Sequence, residues 1–297
     1  MKGWQLLTAG AFAVNVVSVA VPGRADGEMA AEAKRAMAAK IAAKITDAAN
    51  DPTEPAGIPR AHWSRGLVSP AGWAFAIWGP IFLGESALAA MAAAPGLTAS
   101  NPVASGMLAS AAPWFAGVCG LQSLWCAAFR PWAKRVQHFW LPAALLSAEA
   151  AALGGAHGAL IASSASKPMT IATYVCVHLP VAMHFGWITA AAVVSANSFA
   201  QVARWAPSTK LSFAFVSVWL AVATAAGVSI TTGDPVIALT VAWALSAVAA
   251  DGGKSDTNEF GDVPLKALAH TAATAAKGLS GIGLLIIAKN VLEVLRS

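Results

Sequence analysis

The chain has 297 residues, of which 57% are hydrophobic and 11% charged, with a mean hydropathy of +0.62. A water-soluble domain carries about 25% charged residues, so this composition excludes one and points to an all-α integral membrane protein. The net charge of +5 is distributed between apolar stretches rather than gathered into a basic patch, which argues against a nucleic-acid partner. Three cysteines, Cys119, Cys126 and Cys176, lie in apolar runs and offer no disulfide framework.

In chain order, seven stretches are apolar enough to span: 3–21, 71–93, 107–129, 139–155, 170–202, 211–231 and 235–250. The first has no clear small-x-small cleavage site after it and is read as a retained span. Residues 27–50 combine Ala, Glu and Lys with a narrow stripe of Met29, Met37, Ile41 and Ile45, the pattern of a helix lying on the membrane surface. Prolines end it between Asp51 and Pro59. Arg60, His62, Trp63 and Arg65 then lead into the second span as an interfacial anchor. After the seventh span come a polar loop, 251–262, and a tail, 263–297. Its Lys266, His270, Lys277, Lys289, Glu293 and Arg296 suggest an amphipathic interfacial helix.

Call the N-terminal side of the first span side A and the other side B. With seven spans and an interfacial tail, Lys2 and Lys167 fall on side A, and the other 17 of the 19 Lys and Arg residues fall on side B. The positive-inside rule then puts side B in the cytosol or its organellar equivalent, such as the stroma or the mitochondrial matrix.

The second span opens with an unusual string, SPAGWAFAIWGPIFLGE, from Ser69 to Glu85. Pro80 removes one backbone donor and predicts a kink beside Gly79 and Trp78. Trp73, Phe75 and Trp78 on this string resemble the signature at the start of the second helix of the TspO/MBR family, the tryptophan-rich sensory proteins and translocator proteins. Pro70 and Ala71 stand where many members have two prolines, so the match is to a longer, divergent branch. A second resemblance lies at the end of the third span, where Gln122, Trp125 and Phe129 fall on the family's Asn-x-x-Trp-x-x-x-Phe. Pro180, Gly186, Trp187 and Asn197 resemble its last core helix. The resemblance implies a five-helix bundle over 1–203, with the surface helix inserted at 27–50. Residues 204–297 would add two further spans and the amphipathic tail. It also implies a cavity for a tetrapyrrole such as porphyrin or haem, or for a sterol, lined by Trp73, Phe75, Trp78, Gln122, Trp125 and Trp187.

Ionisable residues within spans are costly and default to a functional hypothesis. Glu85, Glu149 and His184 come at similar depths on three spans and are expected to form one cluster facing away from lipid; an interhelix hydrogen-bonded tie is the plainer alternative. His157 and His178 stand nearer span ends. The sequence has no P-loop, no Cys/His metal spacing, no Gly-x-Ser-x-Gly and no HExxH, so neither a catalytic residue nor a metal ligand is assigned. The first functional reading is a non-enzymatic membrane protein that binds a flat hydrophobic ligand, tetrapyrrole, sterol or lipid, for transport or sensing. The alternative is an accessory subunit of a large membrane complex such as a photosystem, in contact with chlorophyll or carotenoid, in a thylakoid or mitochondrial membrane. A homodimer is the other assembly considered.

Overall fold

In lipid every backbone N–H and C=O must be satisfied within its own segment, so long apolar runs close into helices. The computed structural model describes residues 2–21, 65–98, 100–128, 138–164, 169–251 and 257–296, and every long element among them is helical. The surface helix expected at 27–50 lies outside the described residues. The helices are α1 (Gly3–Ala20), α2 (Trp78–Ala93, entered through a 3-10 coil at Gly72–Ile77), α3 (Pro102–Ala128), α4 (Trp140–Ser164), α5 (Leu179–Val202), α6 (Pro207–Thr232), α7 (Pro235–Asp251) and α8 (Asp262–Arg296).

Helix α5 is the centre of the bundle. Some 67% of its most apolar stretch is buried, against 11% in α8, and it packs on α2, α4, α6 and α7. Two glycines allow the closest approaches. A Cβ on Gly84 of α2 would come within 2.6 Å of the Pro180 ring, and one on Gly186 would come within 2.7 Å of Thr240 on α7. On one flank α1 packs against α3, where Phe12 and Phe115 stack at 6.3 Å and Asn15 Nδ2 donates to Gln122 Oε1 at 2.8 Å. On the other flank α8 packs on α6 and α7.

Two local features set the side chains used below. Before α5 the chain forms a π-helical turn, Tyr174–His178, in which the Leu179 N–H reaches back five residues to the Tyr174 carbonyl. Pro180 has no N–H to give the Cys176 carbonyl, so the regular i−4 ladder cannot continue there and the wider turn replaces it. Between α6 and α7 the sequence Gly233-Asp234-Pro235 makes a tight reversal. Gly233 takes the left-handed conformation (φ 72°) that ends α6, Asp234 Oδ1 accepts from the Val236 N–H at 2.9 Å, and Pro235 opens α7.

Pro80 stands two residues past the point where the 3-10 coil passes into α-helix, in the first turn of α2, a position that accepts proline. One expectation is corrected: the tail, expected at the interface, is instead a candidate span. Helix α8 has 35 residues and is long and apolar enough to cross a bilayer. A Cβ on its Gly283 would meet Leu239 of α7, and its Asn290 Nδ2 donates to the Gly233 carbonyl at 3.1 Å, so it runs from side B back to the α6–α7 turn on side A. At ~1.5 Å per residue it is ~52 Å long, more than the ~30 Å hydrocarbon core. Lys266 and His270 at its start and Lys289, Glu293 and Arg296 at its end can therefore stand outside, while Lys277 falls within the span. Seven helices meet the length and hydropathy needed to span, α8 among them; α7, at 17 residues, falls just short in length but is packed between α5 and α8. Among the described residues there are thus seven candidate spans, with α7 a shorter apolar helix packed beside them.

Candidate functional site: an aromatic pocket and a buried carboxyl–imidazole cluster

The 3-10 coil at Gly72–Ile77 divides the aromatic residues of the signature between two directions. It is anchored to α7 by the Ala71 N–H, which donates to the Ala247 carbonyl at 3.0 Å, and by Trp243 Nε1, which donates to the Ala74 carbonyl at 3.1 Å. Trp73 turns outward, packs edge-on against Trp243 at 4.7 Å and is 46% exposed. Phe75 meets Trp187 of α5 edge-on at 5.5 Å. Trp78, where the α-helical hydrogen bonding begins, points inward and stands edge-on to Trp187 at 6.2 Å and to His184 at 5.4 Å.

A cavity of about 290 Å³ opens at the side B end of the bundle. Phe75, Trp125 from α3, Phe139, Leu146 from α4 and Trp187 form its aromatic and aliphatic wall, and Arg65 stands on it as well. Arg65 makes an ion pair with Asp251 at the end of α7. Burial lowers the Arg65 pKa, but a guanidinium stays charged under these conditions. Of the six residues the sequence assigned to a ligand, Phe75, Trp125 and Trp187 come together on this wall. Trp78 lies behind Trp187, Trp73 faces away, and Gln122 is 2% exposed and engaged with Asn15.

Beyond Trp78 and Trp187 lies the intramembrane cluster. Glu85 of α2, Glu149 of α4 and His184 of α5 are all 0% exposed. His184 Nδ1 is 2.6 Å from Glu85 Oε1, a short hydrogen bond. His184 Nε2 is 3.3 Å from Glu149 Oε1, close enough for attraction, yet neither Glu149 oxygen has a hydrogen-bond partner. The imidazole thus bridges two carboxyl groups from different helices, one tightly and one loosely. Such an arrangement can tie three helices and hold a proton among three groups.

The sequence reading missed Asn15, whose amide completes Gln122, because nothing in the first span marks its register against the third. It also missed Asp234, although Gly-Asp-Pro between two apolar runs is a legible turn signal. Asp234 is 4% exposed. Burial alone would push its pKa up, but hydrogen bonds from His157, His178 and the Val236 N–H outweigh that and hold its carboxyl below the usual range.

No curated protein and no solved structure matches the chain significantly. The family model described as TSPO-like protein matches residues 60–286, well over half of the sequence, and this multi-pass membrane protein belongs to that family.

Proposed function

We propose that the protein binds a flat, mostly apolar ligand of the tetrapyrrole or sterol class in the side B pocket, for transport or sensing rather than for catalysis. The observation that carries the reading is the convergence of Phe75, Trp125 and Trp187 on one cavity wall with a single guanidinium, Arg65, among its lining residues. Aromatic walls give a planar molecule stacking and edge contacts, and one charged group fixes its orientation. A carboxylate on the ligand would compete with Asp251 for Arg65, which favours a carboxylated tetrapyrrole over a sterol. At about 290 Å³ the cavity is at the small end for ligand sites, so a porphyrin would keep one edge in the lipid.

The test is quenching of tryptophan fluorescence by protoporphyrin in the full chain. Wild type quenches saturably, and Trp125→Ala or Phe75→Ala weakens binding about ten-fold, a loss of ~1–2 kcal/mol per aromatic contact. Trp73→Ala binds as wild type does. Arg65→Gln weakens binding of the free acid but not of its dimethyl ester. An absence of saturable quenching in wild type overturns the reading and leaves the accessory-subunit role as the better account.

A further inference from the structure

A second cluster of ionisable groups lies toward side A, at the opposite end of the bundle from the pocket. It joins three separate elements: His157 on α4, His178 at the end of the π-helical turn, and Asp234 in the α6–α7 reversal. The three are 1%, 2% and 4% exposed. His157 Nε2 is 2.7 Å and His178 Nε2 is 2.8 Å from the same oxygen, Asp234 Oδ2. One ligating atom from each residue lies within 4.8 Å of the others.

We propose that His157, His178 and Asp234 form a binding site for a divalent first-row transition cation of the zinc type, clamping α4, the start of α5 and the α6–α7 turn.

Several features favour a cation over a plain hydrogen-bonded tie. A tie between two of these elements needs one hydrogen bond, whereas here two imidazoles are aimed at one carboxylate oxygen, the convergence that metal coordination uses. With both rings neutral the cluster carries one negative charge, and no Lys or Arg among the described residues pairs with Asp234. Two imidazole nitrogens and one carboxylate oxygen suit zinc, cobalt or ferrous iron. Calcium and magnesium prefer all-oxygen shells, and copper(I) prefers sulfur.

The two distances to Oδ2 are close to those of a filled site, and the two Nε2 atoms lie within 4.8 Å of each other. Tetrahedral bonds of ~2.0–2.1 Å put neighbouring ligand atoms ~3.3 Å apart, so each imidazole need withdraw only about half an ångström from Oδ2. Coordination through Nε2 requires each ring to carry its hydrogen on Nδ1. The Nδ1 of His178 is buried and without a hydrogen-bond partner, so metal binding exchanges the present Nε2–H bond to Oδ2 for a metal bond and moves the hydrogen to a free ring position. Both imidazoles are held against rotation: His178 stacks on Tyr174 at 5.4 Å, and His157 packs against Phe185 at 6.1 Å. Asp234 Oδ1 is fixed by the Val236 N–H, which leaves Oδ2 as the ligand atom. Three protein ligands leave a fourth position for water. The residues are separated by up to 77 positions, which is why no metal motif is visible in the sequence.

The experiment uses the full chain in detergent, stripped with a chelator and titrated with Co2+ and then Zn2+. One equivalent of Co2+ is expected to bind with visible d–d absorption, and Zn2+ should displace it stoichiometrically. His178→Ala and Asp234→Ala, checked by circular dichroism and size-exclusion chromatography, should each weaken binding by at least about 100-fold, beyond the 10–100-fold typical of losing a supporting residue. His270→Ala removes an exposed imidazole on α8 and should change nothing. X-ray absorption on zinc-loaded wild type, which needs no variant, should show an N/O shell with imidazole scattering. The proposal is overturned if wild type binds no stoichiometric Co2+, if binding survives both ligand variants, or if the absorption spectrum lacks imidazole.

Discussion

His184 has unequal neighbours, and the inequality decides what each substitution costs. Glu85 makes a short hydrogen bond to it, whereas both Glu149 oxygens are buried without such a partner. Glu149→Gln therefore removes little and is expected to change stability by less than about 1 kcal/mol. His184→Leu strands two buried carboxyl groups and should cost about 3–5 kcal/mol, read as a large fall in the detergent melting temperature. Equal effects of the two variants would show that the cluster is held differently. The Asn15–Gln122 pair gives a similar contrast. Asn15→Leu or Gln122→Leu alone leaves one buried amide unsatisfied, at about 1–3 kcal/mol, while the double variant should recover much of that loss. Depth along the spans was enough to group Glu85, Glu149 and His184 from sequence, because rise per residue is fixed. The role of Gln122 was not legible: its position follows the family pattern, but the direction of its amide depends on α1, which sequence cannot dock.

At the scale of the elements, proline and glycine positions carry the most information. Pro180 imposes the π-helical turn, and a one-residue change in winding rotates a side chain by about 100°. Pro180→Ala is expected to restore regular α-helix, swing His178 away from Asp234 and abolish high-affinity Co2+ binding with helical content unchanged. Gly84 and Gly186 are needed for close approach, since an added Cβ would lie 2.6 Å from Pro180 or 2.7 Å from Thr240. Gly84→Val and Gly186→Val should each destabilise by about 1–3 kcal/mol, whereas Gly227→Val, at an open position on α6, should be nearly neutral. The existence of the spans was legible because a 20-residue apolar run has few alternatives. Their irregular openings were not: the rule about proline gave no warning of the 3-10 entry before Pro80 or of the π turn before Pro180.

For the molecule as a whole, α8 as a candidate span gives a testable change of topology. Lys266 and Lys289 are both exposed, near opposite ends of α8. With Cys119, Cys126 and Cys176 replaced by serine, Lys266→Cys should be labelled by an impermeant reagent from side B and Lys289→Cys from side A. Labelling of both from one side would restore the interfacial placement. The charge asymmetry that set the orientation survives, because only Lys289 and Arg296 change sides. The sequence also suggested that a bundle closes at residue 203 and that later helices are additions. The family match runs from 60 to 286, and α7 supplies Leu245 to the pocket and Asp251 to its arginine. Those contributions join residues more than 150 positions apart, beyond the reach of any local pattern. The glycine contacts around α5 have a mechanical consequence. With Gly84 seated on Pro180, Gly186 on Thr240, and Phe185 at 3.3 Å from a Cβ built on Gly154, α5 is an axle without play. Sliding or turning it would press packed surfaces together on three sides. A response to an occupied pocket is therefore expected as a change of tilt of the helices around α5 rather than as a piston stroke.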